Sequence, residues 1–198
     1  MRIFKLLACV LAFTLISGCA PGGNGENAYE KINKKYINIS DYAAGGNITI
    51  YGNKSQNTYD FMQYYKNGKY LLQYKDDLGI IFDKKSVVIK NNVLKSQIAF
   101  DSDSMDYYYF FVNSFFEKYF TEQNVTVKTA SSDNEKFVVL ECETGDKHYK
   151  KQKLWINAKN TLPSKMQIFD GNDTLKAEIR FLDFKFVKSV DENIFKTD

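Results

Sequence analysis

DYYYFFVNSFFEKYF, residues Asp106 to Phe120, crowds aromatic side chains into about four helical turns' worth of chain. Met105, Tyr108, Val112, Phe115, Phe116, Tyr119 and Phe120 recur at steps of three and four, the spacing that puts side chains on one side of a helix. So much apolar surface cannot stand in water and has to be wrapped by something concave. Strand-like hairpins on both sides supply the wrapping. The expectation is an α+β domain in which a curved antiparallel sheet encloses an aromatic helix. Tyr108, Phe111, Val112, Phe115, Phe116 and Tyr119, with Trp155 from a later strand, are the candidates to line its core or a cavity.

The start of the chain sets the compartment. Arg2 and Lys5 precede a run from Leu6 to Ile16 that is almost wholly apolar, and Ser17-Gly18-Cys19 follows. That is the layout of a secretory signal, and the run is too short to span a bilayer. Ile16-Ser17-Gly18-Cys19 also fits the bacterial lipobox, in which the thiol receives a diacylglyceryl group bearing palmitate-type chains and the peptide is cut just before it. Each buried methylene adds about 0.8 kcal/mol, so two or more chains hold a protein where one lets it go. Residues 1–18 are therefore read as signal peptide, 19–27 as lipidated Cys19 with a flexible tether, APGGNGEN, and 28–198 as one extracytoplasmic domain. Cys9 leaves with the signal and Cys19 takes the lipid. Cys142 remains, alternating with Val138 and Leu140 as a small core residue, and no internal disulfide can form.

Removing Arg2 and Lys5 from 27 basic residues leaves 25 against 24 acidic ones, about +1. A near-neutral domain is not a nucleic-acid binder. Lys34-Lys35 and Lys150-Lys151 read as solvated faces, with contact to anionic headgroups as the minor option.

In chain order, Tyr29, Ile32, Tyr36 and Ile39 predict an amphipathic helix, ended by Gly45-Gly46. Strands follow: Ile48 to Tyr51, Tyr59 to Tyr65, Tyr70 to Lys75, Ile80 to Phe82 and Val87 to Ile89, with Asn67-Gly68 marking a tight hairpin. After the aromatic stretch come Val125 to Val127, Phe137 to Cys142, Tyr149 to Ile156, Met166 to Phe169 and Leu175 to Phe186. In the last of these, Leu175, Ala177, Ile179 and Phe181 face one way and Lys176, Glu178 and Arg180 the other, so one sheet face is buried and one is wet. An open sheet has free edges that invite strand addition. Gly45 and Gly46 are the candidate hinge for exchange of the Ile48 strand, which makes a homodimer an option.

Catalysis finds little support. His148 is the single histidine, beside the Gly145-Asp146 turn, so a multi-histidine metal site cannot form within the chain. Asp76-Asp77 and Asp101-Asp103 are turn-like, and no Gly-rich phosphate loop precedes a helix. The reading is of no enzyme, no metal and no cofactor. Bulky Phe111, Phe115, Phe116 and Tyr119 favour a filled interior over an acyl-chain cavity.

The later strands carry a resemblance. Lys153-Leu154-Trp155-Ile156-Asn157, Thr161-Leu162-Pro163-Ser164-Lys165-Met166-Gln167-Ile168-Phe169-Asp170, Phe181-Leu182-Asp183-Phe184-Lys185 and Val190-Asp191-Glu192-Asn193-Ile194-Phe195 resemble the LolA-type lipoprotein carrier superfamily. With Gln63-Tyr64-Tyr65, Gly68-Lys69-Tyr70, Ser114-Phe115-Phe116-Glu117-Lys118-Tyr119 and Val139-Leu140-Glu141, the chain is most similar to the germination lipoproteins (GerS type) of spore-forming clostridia. The resemblance implies an open half-barrel closed by helices. It also implies a membrane-anchored, non-catalytic partner that binds and activates a cell-wall N-acetylmuramoyl-L-alanine amidase in forming cortex muramic-δ-lactam. The implied place is the spore envelope, on the outer forespore membrane facing the cortex. The alternative is a carrier or sensor of lipid or lipoprotein acyl chains.

Overall fold

A computed structural model describes residues 24–75, 77–83, 86–101, 106–122, 125–146 and 148–196. The signal segment, Cys19 and Met105 lie outside them. Helix α1 spans Asn24–Tyr36, and six strands follow: β1 Tyr42–Tyr51, β2 Gln56–Lys66, β3 Lys69–Tyr74, β4 Leu78–Phe82, β5 Ser86–Asn91 and β6 Ser96–Asp101. A 3₁₀ segment, Asp106–Phe110, leads into α2, Val112–Thr121. The second run is β7 Val125–Ser132, β8 Glu135–Glu143, β9 Lys151–Asn157, β10 Pro163–Phe169 and β11 Leu175–Phe186, closed by a 3₁₀ turn at Glu192–Phe195.

The strands make one sheet in the order β6-β5-β4-β3-β2-β1-β11-β10-β9-β8-β7, with antiparallel pairing throughout. β6 and β7 are its free edges. Every neighbouring pair follows sequence order except β1 with β11, which joins the two meanders. Asn67 (φ 49°) and Gly68 (φ 82°) form the expected two-residue hairpin, both residues with positive φ.

Both helices lie on the concave face. Ala28, Ile32 and Tyr36 on α1 and Phe111, Val112, Phe115, Phe116 and Tyr119 on α2 share one core with Ile48, Leu72, Ile80, Leu140, Leu154, Ile168 and Ile179 of the sheet. Each fully buried Phe contributes about 1.5–3 kcal/mol in transfer free energy, so this face holds α2 in place although its isolated ten residues would not persist. A smaller cluster sits on the convex face, where Val190 and Phe195 of the C-terminal segment cover Leu71, Ile81 and Val88.

Several expectations need correction. The aromatic stretch is two pieces, because Phe111 is extended (φ −98°, ψ 141°) at the start of α2. α1 begins at Asn24, one turn inside the expected tether, since the Ala28, Ile32 and Tyr36 stripe anchors enough helix to carry that turn. Gly45 and Gly46 do not end α1; they lie inside β1, the strand paired on both sides in the middle of the sheet. There the ladder to β11 shifts: Gly45 faces Asp183, Gly46 faces Phe181, and Leu182 is the extra residue of a bulge. A Cβ on Gly46 would stand 1.8 Å from the Arg180 carbonyl oxygen, so the glycine serves close backbone approach. Freeing β1 for exchange would break two ladders rather than turn on a hinge. β6, a wholly exposed strand, was not foreseen.

Candidate functional site

The concave interior is where the expected site residues converge. Phe111, Val112, Phe115, Phe116 and Tyr119 are buried, and the aromatic rings among them contact one another or the sheet. Tyr36 of α1 stacks on Phe116 with centroids 4.3 Å apart, and Phe111 meets Tyr70 at 4.9 Å and Phe82 at 5.5 Å. Phe115 lies against Phe116 and Tyr119 at 5.5 and 5.8 Å. The rings pack against one another and against the sheet on this face.

Trp155 does not join them. On β9 the inward positions are Gln152, Leu154 and Ile156, which leaves Trp155 on the convex face. Its ring lies under the Lys165 ammonium at 4.2 Å, and its Nε1 donates to Gln167 Oε1 at 3.2 Å. Gln167 in turn donates to Glu178 (2.9 Å), which also accepts from Arg180 Nε (2.7 Å). The wet face of β11 thus holds a nearly buried carboxylate. Burial opposes its ionisation, but the Arg180 and Gln167 donors win and hold it below the usual range.

A polar chain links the aromatic insert to the sheet. The Tyr42 hydroxyl donates to Asn113 Oδ1 (3.3 Å), Asn113 Nδ2 donates to the Tyr70 hydroxyl (2.6 Å), and Tyr70 donates to Glu117 Oε1 (3.2 Å). Tyr108, half-buried at the mouth, donates to the other Glu117 oxygen. Burial drives the hydroxyl pKa of Tyr42 and of Tyr70 well above the ordinary value of 10, keeping both neutral and able to donate. No side chain of Phe111 caps α2; the Tyr42 oxygen sits at that end instead, faced by the Val112 and Asn113 amides. Ser114 Oγ donates to the Tyr108 and Phe111 carbonyls (2.6 and 2.7 Å), fastening the 3₁₀ segment to the helix.

Two glutamines complete the clamp. Gln63 of β2 donates to the Phe110 carbonyl (2.7 Å) and Gln152 of β9 to the Tyr109 carbonyl (2.6 Å). Both are fully buried, and their Oε1 atoms have no hydrogen-bond partner among the described residues. Sequence reading missed Asn113, Gln63 and Gln152. The available signal was position, since Gln63 falls on the inward parity of Tyr59, Phe61 and Tyr65.

Cys142 is buried beside Leu140, and burial pushes its thiol up to about 12, which leaves it unreactive at neutral pH. His148 is exposed and donates its backbone N–H to Asp146 Oδ1 (2.6 Å). Among the described residues there is no cluster of three or more His, Cys, Asp or Glu able to hold a metal, and no helix is long and apolar enough to cross a membrane.

A family model described as sporulation protein YdcC-like matches residues 2–195. No curated protein matches the chain. Among solved structures, that of the CwlD amidase from Clostridioides difficile in complex with the GerS lipoprotein is similar at a TM-score of 0.50 and 22% identity, covering 82% of this chain and 95% of that one. An uncharacterized conserved protein from Thermus thermophilus gives a TM-score of 0.55 at 7% identity, over 87% of this chain and 93% of that one. A LolA superfamily protein from Nitrosomonas europaea gives 0.48 at 14% identity, over 87% and 97%. Likenesses at such identities are likenesses of fold: an open antiparallel sheet with two helices packed on one face.

Proposed function

Because the chain belongs to the YdcC-like sporulation protein family, we propose that it is a non-catalytic germination lipoprotein that binds and activates a cell-wall amidase. On this reading residues 1–18 are removed, Cys19 is acylated, and the domain stands on the extracytoplasmic face of a spore membrane. Its client is an N-acetylmuramoyl-L-alanine amidase whose action leads to cortex muramic-δ-lactam. The observation that favours a partner role over a carrier role is the filled interior, where Tyr36, Phe111, Phe115, Phe116 and Tyr119 pack ring against ring. The fold shared with the amidase–lipoprotein complex supports the same choice. A permanent anchor points the same way, since a carrier must leave the membrane it loads from.

The test is co-purification of the untagged sporulation amidase with a tagged domain starting at Ala20, with native mass spectrometry on the eluate. A stoichiometric complex, with amidase activity rising on addition of the domain, is the expected result. A domain that elutes alone with lipid-sized added mass would replace activation by acyl-chain carriage.

A further inference from the structure

The first turns of α1 cross the sheet at one end of its strands, and a cleft of about 720 Å³ opens there. Ala28 and Lys31 of α1 line it, with Ser131 of β7, Lys136 of β8, and Asn157 and Lys159 at the end of β9. Lys31, Lys136 and Lys159 are exposed, as is Lys34 one turn along α1, and Ile37 beside it leaves 63% of its surface in water. Glu30, Asp133 and Glu135 are carboxylates near this rim among the residues whose side chains are described. Glu135 accepts from Asn157 Nδ2 (3.1 Å) and Asp133 from Ser132 Oγ (3.0 Å), so both are held close to the protein. Lysine side chains are longer and carry their charge outward past such anchored carboxylates.

Position in the chain decides what this rim meets. Ala20 to Gly23 separate Cys19 from Asn24, where α1 begins. Five residue steps, fully extended, reach at most about 18 Å. Lys31 is seven residues into the helix, about 10 Å further along its axis. An acylated Cys19 therefore keeps the start of α1, and with it the lysine rim, close to the bilayer whatever the tether's path. The β5–β6 turn, with Val93 and Leu94 68% and 72% exposed, lies at the opposite ends of the strands.

We propose that the α1 end of the domain, through Lys31, Lys34, Lys136 and Lys159, is a docking face for anionic lipid headgroups that orients the tethered protein with its β5–β6 end away from the membrane. This rests on acylation at Cys19. The tether supplies a high local concentration, so a few cations suffice to select an orientation where they could not recruit a free domain.

The test uses the lipidated full chain in phosphatidylcholine vesicles with and without phosphatidylglycerol. A fluorophore is placed at Ser131→Cys or Val93→Cys, Cys142 being buried, and a headgroup-attached quencher reports proximity. With phosphatidylglycerol, quenching at residue 131 is expected to exceed that at residue 93. The combined variant K31Q/K136Q/K159Q is expected to lower that ratio about fivefold or more, the equilibrium weight of a lysine or more at a charged surface. Equal quenching of the two sites on vesicles that float with the protein overturns the orientation and leaves the anchor standing. Failure to float, with Cys19→Ser behaving identically, overturns the anchor and the orientation with it.

Discussion

Replacing Tyr42 by Phe removes one oxygen and leaves the ring, which stacks on Phe184 at 4.9 Å and on Tyr65 at 5.6 Å. Packing is therefore preserved, and the loss is confined to hydrogen bonding. Asn113 Oδ1, fully buried, loses its donor, at a cost of about 1–3 kcal/mol for an orphaned buried acceptor. The Val112 and Asn113 amides lose the oxygen facing them at the start of α2, worth about 1 kcal/mol as for an absent N-cap. Together the loss is about 2–4 kcal/mol, or a fall in melting temperature of about 6–12 °C for a domain of this size. Calorimetry of Y42F, N113L and the double variant reads both the loss and the coupling. A coupling of about 1 kcal/mol or more is expected, because the two side chains share a bond. If Y42F melts within a degree of the parent, or the two losses simply add, the polar chain does not hold α2 and the site has been described wrongly.

Two further outcomes follow from backbone contact and from ionisation. Gly46→Ala forces its Cβ against the Arg180 carbonyl and should cost more than about 3 kcal/mol or abolish soluble expression; Gly79→Ala, whose Cβ would meet only Leu71 Cδ1 at 3.6 Å, should change the urea midpoint little. Tyr36, Tyr42, Tyr70 and Tyr119 have hydroxyl pKa values raised by burial above the unfolded value of 10. Stability from keeping them neutral is fully present below pH 10 and is lost as pH climbs from there toward the folded values, so urea midpoints should fall steeply above pH 10, and a flat profile would contradict their burial.

The apolar skeleton was legible because it obeys period. Leu175 to Phe186 was read with the same bounds that β11 has, and the Asn67-Gly68 hairpin followed from residues that accept positive φ. Reading failed where period is ambiguous or silent. Steps of three and four fit a 3₁₀ turn followed by an α-helix as well as one continuous helix, so the break at Phe111 left no trace. β6, SQIAFD, has no buried side to generate alternation. Parity along β11 holds from Ala177 to Phe181 and then switches at Leu182, placing Phe184 and Phe186 inward, because a bulge adds one residue that no hydrophobic pattern announces. Asn113, Gln63 and Gln152 escaped for the opposite reason: a search for apolar faces passes over the amides that fasten those faces together.

The order of strands also sets a schedule for folding. β2 through β6 each pair with the strand just made, and β8 through β11 do the same, so each meander can form by local hairpin closure within microseconds to milliseconds. The seam between them joins Tyr42 to Phe186 and Ile50 to Ala177, the first strand synthesised to the last. Until β11 has emerged, one side of β1 stays open, with Ile48 and Ile50 beside unsatisfied backbone groups. A chain synthesised from its N-terminus therefore carries an unfinished strand for nearly its whole length and completes its longest loop closure last. That step should govern the refolding rate, and residues of the β1–β11 ladder should acquire amide-exchange protection later than those of either meander.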